Sequence, residues 1–591
     1  MAFQVSPGIN VSEIDLTTVV PNVATSIGAI AGGFNWGPVM ERTSITNEND
    51  LVKVFGKPDD ITSPWFHTAA NYLSYSNNLI VVRNVLTAAK NSVVGNNDTV
   101  TPTDIDVNNA THYDEVYGAM SNQLFVAKYP GKLGNSIKVL AIDSHGWGAT
   151  LTGDLLAQQK LFKANFDATA PGTSRSMKAA NGEAATAVGT GFDEMHVLVI
   201  DEDGLWTGTP GYILEKHAYV SKASDAKRID GSSNYVGTVL RNESAYVWLG
   251  KADQVTITST ASASYVDSGS PMAGNAFKQI NGVGYEIIGG SLVQGADGNE
   301  LQDAELEAGY ALYVNPEVVD VSLVMAGPGS KIVGKWIVDH VSETRKDCVA
   351  FVSPSKGSVV QRTSGHMVEL TDDSTDLGSS SYAVMDSAWK YQYDRYNDVF
   401  RYVPMNGDMA GLCARTDFTN DAWWSPAGLT RGQIKNIVRL SWEPTKAERD
   451  SLYQLGVNPL ITQTGAGVVL WGDKTMQTVP SAFDRINVRR LFIVLEKAIS
   501  IAAKAMLFEF NDEFTRSQFI NLVEPFLREV QGRRGITDFK VVCDSSNNTG
   551  QVIDTNNFVG DIYVKPSRSI NYIQLNFIAA RSDVSFSEIG G

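Results

Sequence analysis

Four groupings in the sequence have residue types that could carry chemistry. "GSKIVGKW", Gly329–Trp336, nearly matches GxxxxGK[ST], the loop whose amides and lysine cradle phosphates while its last hydroxyl holds Mg²⁺. Trp336 stands where that hydroxyl belongs. Ile332, Val333, Trp336 and Ile337 also mark a helix face, which puts Gly334 inside a helix. "DSGSPMAG", Asp267–Gly274, has the look of a nucleophile loop, and seven histidines could supply a base. A serine hydrolase needs that base within hydrogen-bond reach of the serine, and an orienting carboxylate behind it. No GxSxG occurs, and no histidine sits in a companion motif. His67, His340 and His366 are expected to be core or surface histidines. "DEDG" at 201–204 and "TDDSTD" at 371–376 lack full calcium-loop spacing and are expected to be polar loops. A nucleic-acid grip could use the basic helices near the C-terminus with Phe492 and Phe508, but both aromatics fall in the apolar pattern, so core packing is expected of them. No catalytic residue, cofactor or metal ligand emerges from these groupings.

Composition narrows the classes further. The chain has 591 residues, formal net charge −17, 43% hydrophobic and 19% charged residues. That length predicts about three to five domains. Abundant Gly, Ser, Thr and Asn fit a β-rich, loop-rich protein that packs on copies of itself. An acidic chain has no general attraction for phosphates, so direct nucleic-acid binding is not expected. Cys348, Cys413 and Cys543 are far apart, without CxxC spacing, and read as small buried hydrophobes in a reducing compartment. No run approaches the roughly 18 apolar residues of a membrane span, and "MAFQVSPGINVSEID" lacks a signal peptide's basic start and apolar stretch. These features predict a protein without membrane insertion, made in a cytoplasm.

The elements predicted around these groupings are mixed. "TSIGAIAGGFNWGPV" reads as a buried strand and a Gly-Pro turn; "NENDLVKVFGKP" as a short helix capped by Asn47. "PWFHTAANYLSYS" has helical spacing, and "NLIVVRNV" suits a central strand. Residues 91–304 change texture, with short strands ("NSIKVLAI", "EMHVLVID", "AYVWLG") between loops rich in small polar residues, as in one or two β-rich insertions. A helix over 298–312, a strand at 319–326, a helix from Ser330 to Arg345 and a strand at 348–353 then predict crossovers and a largely parallel sheet.

The last hundred residues predict an α+β unit. "RINVRRLFIVLEKAISIAAKAMLF" puts Ile486, Leu491, Val494, Leu495, Ala498, Ile501, Ala502 and Ala505 near one helix face. A second helix follows Asn511, its expected cap, with Asp512 and Glu513 suiting the positive end of the dipole and Pro525 expected to kink it or start a new turn. Strands are expected at 536–543, 558–564 and 570–580. Residues 485–591 carry 13 Lys and Arg against 12 Asp and Glu, leaving −18 on the remainder. Arg485, Arg489, Arg490, Arg528, Arg533 and Arg534 gather on these helices, as a solvated face or one that meets an acidic partner. Both chain ends alternate as half-buried strands: Phe3, Val5, Ile9 and Val11 at one end, Val584 and Phe586 at the other. Periodicity leaves open whether they pair within their own subunit or on a neighbour.

"SPGINVSEID", "GAIAGGFNWGPV" and "FGKP" resemble the start of contractile tail sheath proteins of bacteriophages, and "INVRRLFIVLEKAI" and "FVGDIYVKPSRSINYIQLNFIA" resemble the family's C-terminal helix and closing strands. The resemblance implies α/β and α+β multidomain architecture. It places an N-terminal exchange arm at 1–20, a central α/β domain of non-catalytic subtilisin-like fold at 21–90 plus 305–480, and a variable outward β-rich insertion at 91–304. A C-terminal α+β domain facing the tube follows at 481–581, and a C-terminal exchange arm at 582–591. It implies a structural, non-enzymatic subunit forming hexameric rings stacked into a helical sheath around a tail tube, ended by baseplate and tail terminator proteins, in the virion tail. Val5, Ile9, Val11, Val584 and Phe586 become arm-exchange residues, and Arg489, Arg490, Arg528, Arg533 and Arg534 candidate tube contacts. The rival readings are an outer decoration or adhesin protein and a serine hydrolase.

Overall fold

The computed structural model of the chain describes residues 24–571, apart from 96–103, 118–119, 121–122, 173–193, 223–225, 251–277, 281–282, 285–286 and 299. The proposed arm residues Val5, Ile9, Val11, Val584 and Phe586 lie outside the described residues, as do Asp267–Gly274 and all but the start of the strand expected at 570–580.

Seven strands form the central sheet, in the order Val457–Asn458, Ala383–Asp386, Val349–Val352, Leu323–Met325, Gly28–Gly32, Leu79–Arg83 and Arg42–Ile45. All neighbours are parallel except the last pair. The inner strands read as near-continuous apolar runs because helices cover both faces, whereas the edge strand Arg42–Ile45 is mostly polar. Helices Ser63–Leu73 and Asn406–Thr419 pack together against one face. Gly407 makes that approach possible: a β-carbon there would sit 2.4 Å from the Thr68 carbonyl oxygen. Asp303–Ala311, the continuous helix from Lys331 to Arg345 and His366–Leu377 pack side by side away from that pair. Gly334 is interior to its helix, as the spacing predicts, and a β-carbon there would press on Val352. The Glu48–Phe55 helix is capped by Asn47, whose side chain accepts from Asp50 N–H.

Among the described residues of 91–304 there are two larger antiparallel sheets, Ile287–Ser291, Ile137–Asp143, Glu194–Asp201 and Tyr212–Ser221 in one and Val93–Gly95, Gln123–Ala127 and Val247–Leu249 in the other, besides a short pair of Lys278–Ile280 with Val283–Gly284. One apolar cluster, including Leu124, Val139, Val197 and Leu249, joins the two larger sheets.

Two long helices, Ile486–Ala503 and Glu513–Gly532, then precede a hairpin of Ile536–Val542 against Asp561–Pro566. The first helix serves two cores. Ile486 and Ile493 enter the central one, while Leu491 and Leu495 meet Phe519, Val523 and Leu527 of the second helix. Three details differ from the sequence reading. The cap is Asp512 rather than Asn511, because the Asp512 carboxylate accepts from Thr515 N–H while Asn511 donates to Asn548 and to the Asn557 carbonyl. Pro525 starts no new turn; the helix runs through it. Ile501 and Ala505 are exposed rather than on the buried face.

Candidate functional site and assembly surfaces

In a parallel α/β sheet, chemistry collects at the carboxyl ends of the strands. Here that position is filled from within. Asn406, at the start of its helix, donates from Nδ2 to the Gly327 carbonyl (2.7 Å) and accepts from Gly327 N–H (3.2 Å). Ser353 donates to Asp386 at 2.5 Å, and its oxygen accepts from the Met405 amide, the Asn406 amide and Asn406 Nδ2. A hydroxyl has one proton and two lone pairs, so this one is saturated. Burial pushes the Asp386 carboxyl well above its usual range, against the Ser353 hydrogen bond. Beneath lies an ion pair with both side chains fully buried, Lys390 Nζ to Asp408 at 2.9 Å. These groups hold the sheet's end shut.

The other chemical candidates are also occupied structurally. His67 is buried with Nε2 3.5 Å from Asp394, and burial lowers its pKa despite that carboxylate. His340 stacks on Trp336, and His366 on Trp442. "TDDSTD" is not a loop: it lies in the His366–Leu377 helix, with Asp373 accepting from Ser355 N–H. Asp201 of "DEDG" is buried and accepts from Ser136, Trp206 and Thr207. All three cysteines are buried and free.

The five candidate arginines divide. Arg489 and Arg490 are 5% and 4% exposed, and therefore cannot be outward contacts of this subunit. Their helix lies against the central sheet unit, so long side chains on its near face must find partners inside. Arg489 donates to Ser381 (2.8 Å) and Tyr382 hydroxyls, its guanidinium between the Tyr382 and Phe483 rings at 4.2 and 3.9 Å. Arg490 donates to the Cys413 and Thr25 carbonyls and pairs with Asp417. Arg528 is exposed beside Glu524. Arg533 pairs with Asp421 and lies 5.4 Å from the Trp423 ring. Arg534 is exposed.

Two outward features remain. The Ile536–Val542 and Asp561–Pro566 hairpin has no third strand among the described residues, so both outer edges present backbone donors and acceptors. The turn between the long helices and the first residues of the second helix carry Leu507, Phe508, Phe510 and Phe514, all largely exposed. Phe508 therefore does not join the core expected of it: it is fully exposed at φ +71°. Its signal was visible, since four large apolar residues fall within eight positions beside Glu509, Asp512 and Glu513, where helical spacing has already lapsed.

Three family models match parts of the chain: "Tail sheath protein Gp18 domain III N-terminal region" over 25–83, "Phage tail sheath protein central domain" over 325–476 and "Phage tail sheath C-terminal domain" over 478–580. The sequence is 34% identical to the tail sheath protein of Vibrio phage KVP40, over 99% of each chain. The chain belongs to the phage tail sheath protein family. The tail sheath protein of Enterobacteria phage T4 is 33% identical, again over 99% of each chain. The crystal structure of a sheath tail protein from Listeria innocua shares the fold at 13% identity, with a TM-score of 0.51 over 92% of this chain and 96% of that one. The function is accordingly that of a structural subunit of a contractile tail sheath, a component of the virion tail. For a sheath protein the working parts are surfaces that meet other subunits, and the hairpin edges and aromatic turn are the features here with that character.

Proposed function

We propose that copies of this chain stack as six-fold rings, wound helically around a tail tube between a baseplate and a terminator, and that the sheath contracts to drive the tube through the host envelope. Residues 1–20 and 582–591 act as arms that cross to neighbouring subunits and add strands to the C-terminal hairpin, with Val5, Ile9, Val11, Val584 and Phe586 as the seated side chains. The observation that carries this reading is the hairpin: two strands whose outer edges lack partners among the described residues, on a chain with a strand-patterned segment at each end. Added strands gain affinity from main-chain hydrogen bonds.

In this reading 21–90 and 305–480 form the central domain, 91–304 face outward and 481–581 face the tube. Arg528 is the foremost tube-facing arginine, with Arg533 and Arg534 beside it. The subunit is assembled in the host cytoplasm, inserts in no membrane, binds no nucleic acid directly and catalyses no reaction. Contraction needs no nucleotide because the extended lattice is a metastable arrangement that re-docks with more buried contact.

Negative-stain electron microscopy of the purified full chain and of a variant lacking residues 1–20 tests it. Hollow tubes or ring stacks are expected from the full chain and none from the variant. Tubes formed equally well without residues 1–20 would overturn arm exchange, and small closed oligomers in both samples would favour a decoration protein.

A further inference from the structure

A groove of about 1340 Å³ lies where the central region meets the C-terminal helices. Its walls carry Arg431, Lys446, Arg449, Lys474, Arg534 and Arg568, against only Asp450 and Asp473. Asp473 is already held by Arg485 at 2.9 Å. None of the six cations is in an ion pair among the described residues. Arg431 instead lies over the Trp424 ring at 5.3 Å, and Lys474 over Tyr453 at 4.6 Å. Trp471, also in the wall, is nearly half exposed. On a chain of net charge −17, this is a concentrated basic and aromatic site.

The aromatic turn is its complement. Leu507, Phe508, Phe510 and Phe514 stand in solvent, interleaved with exposed Glu509, Asp512 and Glu513. Hydrogen bonds from Asn511 to Asn548 and Asn557 anchor the turn, so its aromatics are held out rather than dangling. Apolar rings flanked by carboxylates match a tryptophan-lined basic groove in charge and in aromatic character.

The two features cannot meet within one subunit. Asn487, at the start of the 18-residue helix Ile486–Ala503, lines the groove, and the turn follows that helix's far end. The 20-residue helix Glu513–Gly532 returns to Arg534 in the groove wall. At 1.5 Å per residue the groove and the turn stand roughly 30 Å apart on a stiff helical hairpin. A plug and a socket at opposite ends of a rigid rod join copies head to tail, a contact that leads to rings or open helices.

We propose that the acidic aromatic turn Leu507–Phe514 of one subunit docks into the basic groove of a second copy. The contact rests on the sheath reading for its context, but is separate from the strand-exchanging arms.

The test uses the full chain with reversed charges. Arg431→Glu with Arg449→Glu in the groove, and Glu509→Lys with Glu513→Lys in the turn, should each raise the critical concentration for assembly by about 10-fold or more in sedimentation. A chain carrying all four changes should return to within about 3-fold of the parent. Unchanged circular dichroism would exclude misfolding, since all four residues are at least partly exposed. Assembly like the parent's in both pairs would overturn the contact, as would loss in both with no recovery on combination. Weakening by the groove pair alone, suppressed by Glu13→Lys with Asp15→Lys, would assign the groove to the N-terminal segment instead and overturn this proposal. A second measurement is independent of tube formation. Gln463→Cys with Phe510→Cys, treated with a short bifunctional maleimide, should give a ladder of multimers, while either cysteine alone gives none. A chain that makes only small oligomers refutes the sheath reading, yet the ladder still decides the contact; absence of the ladder overturns it.

Discussion

Arg490 offers a sharp test of how the C-terminal unit is fixed to the central sheet. Its guanidinium is buried and donates to the Cys413 and Thr25 carbonyls and to the Asp417 carboxylate. Burial, the largest single influence, works to lower its pKa, but the Asp417 charge and hydrogen bond together with Cys413 and Tyr72 outweigh it, and the net direction is upward. Asp417 is nearly as buried: one carboxylate oxygen serves both Arg490 and the Thr25 hydroxyl (2.6 Å), and the other has no partner. Arg490→Met therefore leaves a buried carboxylate supported by a single hydroxyl. Removing one member of a buried pair costs about 3–5 kcal/mol. A unit of 150–250 residues loses about 2–4 °C per kcal/mol, so the first calorimetric transition should fall by roughly 6–20 °C. That transition is the right readout, because a chain with several cores does not unfold in two states. Arg490→Met with Asp417→Leu should recover most of the loss, since the charge and its counter-charge leave together. Arg528→Met, at an exposed pair, should move it by about 0–1 kcal/mol. A melting temperature for Arg490→Met within a degree of the parent would refute the reasoning, and so would a double variant less stable than the single one.

Three further outcomes follow from the same physics. Gly407→Ala should cost about 1–3 kcal/mol by forcing helices Asn406–Thr419 and Ser63–Leu73 apart, whereas Gly357→Ala, with open space around it, should be neutral or slightly stabilising; calorimetry separates the two. Asp408→Ala strands the Lys390 ammonium inside the protein and should cost about 3–5 kcal/mol, most of it regained by adding Lys390→Met, as read from thermal onset. Burial works to raise the Asp473 carboxyl, but hydrogen bonds from Ser569 and Ser425 and the Arg485 charge outweigh it and hold it below its ordinary value. Its contribution is then complete above the unfolded value of about 3.9 and lost as pH falls through the lower folded value. Asp473→Asn should thus be less stable than the parent at neutral pH, with the gap closing below about pH 3.9 in a series of melts.

Much of the scaffold was legible because the local rules agreed with the packing. "GAIAG" and "LIVVR" are unbroken apolar runs, as strands covered on both faces must be, and Asn47 stands one residue ahead of a helical spacing that its side chain does cap. The arginines were misread for a reason that periodicity cannot reach. The side of the helix that carries Arg489 and Arg490, away from Leu491 and Leu495, faces solvent only if one core is assumed. The helix in fact has two cores to fill, and a guanidinium can finish in the second when carbonyls and a carboxylate wait there. Phe508 failed in the converse way. An apolar residue was assigned to the interior by type, although the spacing that justified the assignment ended with the helix. The strands of the hairpin were foreseeable, but that their outer edges have no partner among the described residues depends on neighbours that a local pattern does not contain.

The placement of charge separates what must stay rigid from what must move. Between the central region and the C-terminal helices the apolar packing of Ile486 and Ile493 is pinned by directional contacts: Arg489 on the Ser381 and Tyr382 hydroxyls, Arg490 on Asp417, Arg485 on Asp473, and Lys497 on Asp320. Apolar surfaces tolerate sliding because any overlap buries similar area, whereas a guanidinium fixed to particular acceptors loses all of them within an ångström or two. A seam of this kind makes the subunit one body. Contraction then has to be taken up between subunits, at main-chain edges and at exposed contacts that can be exchanged without stranding a buried charge. Hydrogen exchange distinguishes this from internal hinging. Amides of Thr25–Gly32 and Ile486–Leu495 should keep the same protection in extended and contracted assemblies, while the outer strands of the hairpin and the Leu507–Phe514 turn should differ between them. Loss of protection across the Arg490 seam on contraction would mean that the switch lies within the subunit after all.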